Sequence, residues 1–302
     1  MLLTFSGLCL AAGLTGSQAP VVPDPAPADP GMRVTVVPAR PAQGSLIQLV
    51  VRPGDAPLAI AGQLAGEPLH FEPRADGAYR AIAAIPIDAA DTLRLSLLVD
   101  RMGRSDTVPV IVPVQRGSYP MERLRVAPKF SEPPDSALAA RIRVEGELAR
   151  GVARRAHETP RMWSGSWARP RPSRITSGFG RGREFNGVVQ SRHMGTDFAG
   201  AKGAPVVAAN RGIVRLVADF YLAGKVVYID HGEGLVTGYF HLSEATVAEG
   251  DTVSRGARIG LVGASGRVTG PHLHWIARFG TVSVNPMDLL GINESGQLAI
   301  DE

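Results

Sequence analysis

The stretch GPHLHW, residues 270–275, sets two imidazoles one residue apart. In a β-strand, residues i and i+2 point to the same face. His272 and His274 therefore emerge side by side, and Trp275 turns away from them toward a core. This alternation predicts a half-buried strand with polar chemistry on its open face.

Five of the seven histidines fall in the last 110 residues: His193, His231, His241, His272 and His274. His193 lies in RHMGTDF, four residues before Asp197, and Gly195 and the small Thr196 between them permit a bend. His241 closes a strand in YFHL. Either segment alone is a weak signal. Together they supply three imidazoles, a carboxylate and a further histidine on a neighbouring strand. Zinc takes such ligands, and a catalytic zinc site keeps one position open for water. Two neutral histidines and one aspartate leave such a site with a net positive charge. That charge acidifies a bound water and polarises a carbonyl. Histidines left over from ligation can take the water's proton or donate to a developing oxyanion. His231 opens the DHGEG turn, where a structural hydrogen bond is expected. Tyr239 shares strand parity with His241, which predicts that it faces the same side and leaves groove-lining as one option.

The surroundings are strand and turn. Strands are predicted over 204–208, 211–219, 224–230, 235–241, 257–263, 271–278 and 281–285, with no strong helix among them. Upstream, Leu93, Leu95 and Leu97 alternate with polar residues, as do Val108, Val110, Val112 and Val114, and Asp76-Gly77 marks a hairpin. Residues 32–117 thus read as an Ig-like β-sandwich, in which His70 has no evident partner. Residues 134–158 are the one clear helix, capped by Asp135 or Ser136, with Leu138, Ile142, Leu148 and Val152 on one stripe. His157 near its end is placed to interact with the helix dipole. The fold class is mainly β: a sandwich, a connecting helix (118–165) and a C-terminal antiparallel β domain (166–302).

Residues 1–19 resemble a secretory signal with Ser17-Gln18-Ala19 as cleavage site, although no Lys or Arg precedes the apolar run and Pro20 follows the cut. Residues 20–31, PVVPDPAPADPG, form an extended spacer. The single cysteine, Cys9, lies in the signal-like segment, so a cleaved chain has no thiol; a lipid anchor at Cys9 is the alternative. The N-terminal run is too short to span a bilayer comfortably, and no long apolar stretch occurs elsewhere. The net charge of +4 is uneven. Between Met121 and Arg192, fifteen Lys and Arg face seven Asp and Glu. That surplus suits a polyanion such as an acidic wall polymer, or simply a solvated surface.

The segments SGFGRGREFNG, HMGTDFAG, GAPVVAANRGIV, VYIDHGEGLVTGYFHL, GDTVSRGARIGLVGASG and GPHLHW resemble, in order, the M23 (LytM/lysostaphin-type) zinc metallopeptidases, from about Arg174 to Leu290. The resemblance implies a C-terminal fold of the barrel-sandwich (duplicated hybrid) type. It implies Zn²⁺ held by His193, Asp197 and His274, with His241 and His272 as the catalytic pair. It implies hydrolysis of peptide cross-links in peptidoglycan by a secreted, periplasmic or envelope-associated enzyme, with no nucleic-acid partner. It leaves open whether the bond cut lies in a polyglycine bridge or a D-Ala–diaminopimelate link. Three other readings compete. A silent regulator of amidases is disfavoured because all five site residues are present, while a site held shut by the sandwich until activation stays open. A 2-His-1-carboxylate iron oxygenase leaves the two extra histidines unexplained. A biotinyl or lipoyl carrier needs a hairpin-tip lysine, and Lys129, Lys202 and Lys225 are not so placed.

Overall fold

The computed structural model describes residues 31–187 and 189–298. The signal-like segment, Cys9 and nearly all of the spacer lie outside the described residues.

The N-terminal part consists of two four-stranded antiparallel sheets. One is built on Leu46–Arg52 and Tyr79–Ala84, the other on Thr92–Arg101 and Arg104–Pro113. The predicted alternation decides which faces meet. Leu95, Leu97 and Val99 point inward with Val108, Val110 and Val112, against Ile47, Leu49, Ala81 and Ala83 of the other sheet. The Asp76-Gly77 turn forms as expected: Gly77 adopts φ +75° and donates to the Arg74 carbonyl. The result is a sandwich with its own core.

The helix runs Ser136–Arg155, and the Asp135 carboxylate caps it by accepting from the Leu138 N–H at 2.8 Å. Its buried face differs from the expected stripe. Leu148 is 50% exposed, and the covered positions are Ala149, Val152, Ala153 and Ala156. These small side chains let the helix lie close against Leu216, Tyr228, Phe240 and Ile276 of the large sheet.

That sheet has ten strands and carries the C-terminal core. Its spine is Thr196–Ala199, His272–Phe279, Leu235–Ala245, Gly224–Gly232 and Gly212–Phe220, all antiparallel neighbours in that order. The strands predicted from 204 onward are all present, with ends displaced by a few residues. The shorter ones were not legible: Met121–Leu124, Gly182–Phe185 and Val189–Arg192 form a separate three-stranded sheet beside the spine. Leu46 and Ala84 of the sandwich pack into the C-terminal core with Val284 and Leu289. There the Leu46 N–H donates to Asp288 Oδ2 at 2.8 Å and the Asn285 N–H to the Gly44 carbonyl at 2.7 Å. Among the described residues no helix is long and apolar enough to cross a membrane.

Candidate metal centre

Register brings the site together. Asp197 lies directly across from His274, and His274 directly across from Phe240 on the next strand. Residues paired this way share a face, so Asp197, His274 and Phe240 line one side of the sheet. Their sequence neighbours Trp275 and Tyr239 pair with each other on the opposite, fully buried side. Trp275 therefore packs as expected. Tyr239 does not line a groove: its hydroxyl accepts from the Ala209 N–H at 2.9 Å and bonds Thr237 Oγ1 at 3.0 Å inside the core.

The same parity would bury His241 beside Tyr239. It does not, because His241 adopts φ +61° at a register shift in its strand. A left-handed non-glycine residue costs about 1–3 kcal/mol, and strain of that kind is retained where a function needs it. Here it turns the imidazole onto the face of His272 and His274, with ring centroids 4.9 and 5.8 Å away. Parity therefore placed Tyr239 wrongly, because the strand bends between the two residues.

His193 enters from the loop before Thr196–Ala199. Gly195 is required there for space: a Cβ would lie 2.5 Å from the Trp275 carbonyl oxygen and 2.6 Å from the His274 ring. The His193 Nδ1–H donates to the Gly178 carbonyl at 2.8 Å, which leaves Nε2 a lone pair. That nitrogen is 2.9 Å from Asp197 Oδ1 and 2.9 Å from His274 Nδ1, and the last two atoms are 2.7 Å apart. All three residues are buried. A triangle of acceptor atoms pointing at one another is held together only by a shared proton or cation. The donor set of two imidazole nitrogens and one carboxylate oxygen fits zinc.

The free carboxylate oxygen, Asp197 Oδ2, accepts from Arg183 Nη2 at 2.6 Å. Arg183 is braced by Glu122, which also accepts from Ser177 Oγ at 3.0 Å. Burial would raise the Asp197 carboxyl, but the His193 and His274 imidazoles against it outweigh that and hold it well below the usual carboxylate range. Arg183 and Glu122 escaped the sequence reading. The signal was the basic surplus between Met121 and Arg192, part of which is consumed at this site and is not a solvated face.

The two remaining histidines are each locked by one backbone carbonyl. His241 Nδ1–H donates to the Ser265 carbonyl and His272 Nδ1–H to the Gly270 carbonyl, both at 2.8 Å. Among the described residues their Nε2 atoms have no hydrogen-bond partner, that of His272 lying 3.8 Å from Asp197 Oδ1. Burial, reinforced by His274 and His272, lowers the His241 pKa well below the ordinary value, so it is neutral at pH 7. His231 is buried and makes the expected structural bonds, to the Arg211 carbonyl and Thr237 Oγ1 at 2.8 Å each. His70, expected to be unpartnered, bonds His157 Nδ1 through its Nε2 at 2.8 Å. His157 in turn reaches Glu67 at 3.0 Å across the seam with the sandwich, and the helix dipole is not its main partner.

The sequence profile of Peptidase family M23 matches residues 191–286, the segment that carries all five site residues. A Vibrio cholerae protein named peptidoglycan DD-endopeptidase ShyA is 51% identical over 83 residues, 28% of this chain and 19% of its own length. The Neisseria meningitidis DD-carboxypeptidase/endopeptidase Mpg is 42% identical over 97 residues, 32% of this chain and 22% of its own length. The chain thus spans about a fifth of the length of these curated relatives. The crystal structure of a putative peptidase M23 from Pseudomonas aeruginosa superposes with TM-score 0.65 at 26% identity, covering 83% of this chain and 96% of that one. That overlap is too long to be confined to residues 166–302, so the sandwich and connector belong to the shared architecture. The site-bearing segment 191–286 thus matches peptidase family M23, and the chain shares its fold with that structure.

Proposed function

We propose that this protein is a zinc endopeptidase that hydrolyses peptide cross-links of bacterial peptidoglycan outside the cytoplasmic membrane. One observation carries the reading. Three buried acceptor atoms, from His193, Asp197 and His274, converge beside two imidazoles whose Nε2 atoms have no hydrogen-bond partner among the described residues. The names of the matched relatives supply the substrate class.

Zinc bound to His193 Nε2, Asp197 Oδ1 and His274 Nδ1 would supply Lewis acidity for the scissile carbonyl and the attacking water. The chain's own residues do the rest. Arg183 fixes the carboxylate so that Oδ1 alone faces the other two ligands. The Gly178 carbonyl fixes the tautomer of His193. His272 and His241, each held through Nδ1 by a backbone carbonyl, present Nε2 lone pairs that accept the proton of the attacking water and return it to the leaving amine. Phe240, its ring tilted 40° against His274 with centroids 5.3 Å apart and backed by the helix, keeps that ligand from rotating.

The test is digestion of purified peptidoglycan by the protein lacking residues 1–30, with and without a zinc chelator. New amino groups that vanish with chelator, without new reducing ends, support a zinc peptidase or amidase, and mass analysis of the fragments names the bond. No products from folded, zinc-loaded protein would overturn the reading in favour of a silent regulator.

A further inference from the structure

Two cavities flank the metal centre. One, of about 300 Å³, is lined by Glu122, Thr176, Asp197, Thr269 and His272. The other, of about 190 Å³, is lined by Met194, Leu222, His193, His241 and His274. Three residues line both: Arg183, Phe185 and Arg267. They stand between the two chambers.

The two arginines differ. Arg183 is consumed by Asp197 and Glu122. The Arg267 guanidinium has no carboxylate or carbonyl partner among the described residues; only its backbone N–H is bonded, to the Leu222 carbonyl. It lies over the Phe185 ring, 4.0 Å from the centroid. Stacking fixes the plane of a guanidinium and leaves its in-plane N–H donors pointing outward, the fork that recognises a carboxylate bidentately. Phe185 is itself 3% exposed, so this platform is rigid. A half-buried cation without a counter-charge is costly unless an anion arrives to join it.

We propose that Arg267 receives a free carboxylate on the substrate residue adjoining the scissile bond. The inference rests on the peptidase reading and sharpens it. A cross-link whose amine-donating residue carries its own carboxylate fits, as in a D-Ala–diamino acid link. An uninterrupted glycine bridge has no such group beside its internal bonds.

Binding tests this separately from turnover. Two cross-linked peptides are compared, one with the free carboxylate and one with the carboxamide in its place. Each is titrated calorimetrically into zinc-loaded His272→Ala and into His272→Ala/Arg267→Ala. The carboxylate form should bind the first protein on the order of ten- to a hundredfold more tightly than the amide. The second protein should bind both forms as weakly as the first binds the amide, with unchanged zinc content. Equal binding of both peptides to the first protein, or an equal loss for both on replacing Arg267, would overturn the assignment. Cleavage by the wild-type protein is scored in parallel. Hydrolysis of both peptides at equal rates would overturn the carboxylate receptor while upholding the peptidase. Carboxylate-selective binding without hydrolysis would do the reverse.

Discussion

The molecule holds two clusters with the same composition, two histidines and one carboxylate, and they do different things. At the seam between sandwich and helix, Glu67, His157 and His70 form a line with links of 3.0 and 2.8 Å. His157 Nε2–H donates to Glu67, so its Nδ1 accepts from His70 Nε2–H, and one proton serves each link. The other Glu67 oxygen takes the Thr281 N–H at 2.8 Å. Burial, and then the neighbouring His157, keeps the His70 pKa below its ordinary value. In the C-terminal sheet, His193, Asp197 and His274 form a triangle with sides of 2.9, 2.9 and 2.7 Å. There the His193 tautomer is already spent on a carbonyl, and its other lone pair faces inward with those of its neighbours. Residue type does not make a metal centre. The direction of the lone pairs does, and for His193 the Gly178 carbonyl sets that direction.

The largest expected effect separates the two clusters outright. His274→Ala removes one corner of the triangle, so elemental analysis after dialysis should find almost no zinc, and hydrolysis should stop. His157→Ala should leave zinc stoichiometry at the wild-type value. Equal zinc loss in both variants would erase the distinction.

Next in size, His272→Ala should keep its zinc and lose about 10²–10⁴-fold in rate, the usual worth of a general acid–base group. Zinc loss on the scale of His274→Ala would move His272 among the ligands.

A third arrangement, the solitary His231, sharpens the comparison through pH. Burial lowers its pKa from 6.5 to about 4. The unfolded chain therefore binds the proton first. The stability this group contributes is complete above pH 6.5 and is lost as pH falls toward 4, about 3 kcal/mol in all. An NMR titration that finds its imidazole protonating near 6.5 in the folded protein would refute this.

The smallest effect belongs to the linear cluster. Glu67→Ala leaves the His157 and Thr281 donors unsatisfied at a seam where Glu67 is 7% exposed. A loss of about 1–3 kcal/mol in denaturant unfolding is expected, with zinc content unchanged.

Much of this was legible because strand parity is a local rule. It put His272 beside His274, Trp275 in the core, and the leucines and valines of residues 93–114 inside the sandwich. The rule failed where the backbone leaves the regular strand. His241 at φ +61° faces the site although parity assigns it to the side of Tyr239. Asp197 was legible as a residue, but its four-residue strand was too short to carry a pattern. Long-range partners left no trace at all. Nothing local to His70 points to His157, 87 residues away, and nothing near Leu148 tells that alanines, not leucine, would meet the sheet. Arg183 and Arg267 are unremarkable in an arginine-rich chain. Only the fold shows that one is spent on Asp197 and that the other lies over Phe185 with no carboxylate partner among the described residues.

The Leu46 contact bears on modular engineering. Its side chain sits in the C-terminal core, and its N–H is claimed by Asp288. The two halves are thus not beads on a string that can be swapped at the helix. A chimera joining this C-terminal half to a foreign sandwich must transplant the strip around Gly44, Leu46 and Ala84 along with it. Otherwise Asp288 Oδ2 loses the Leu46 N–H, Leu289 and Val284 lose their cover, and the hybrid is born with an adhesive face.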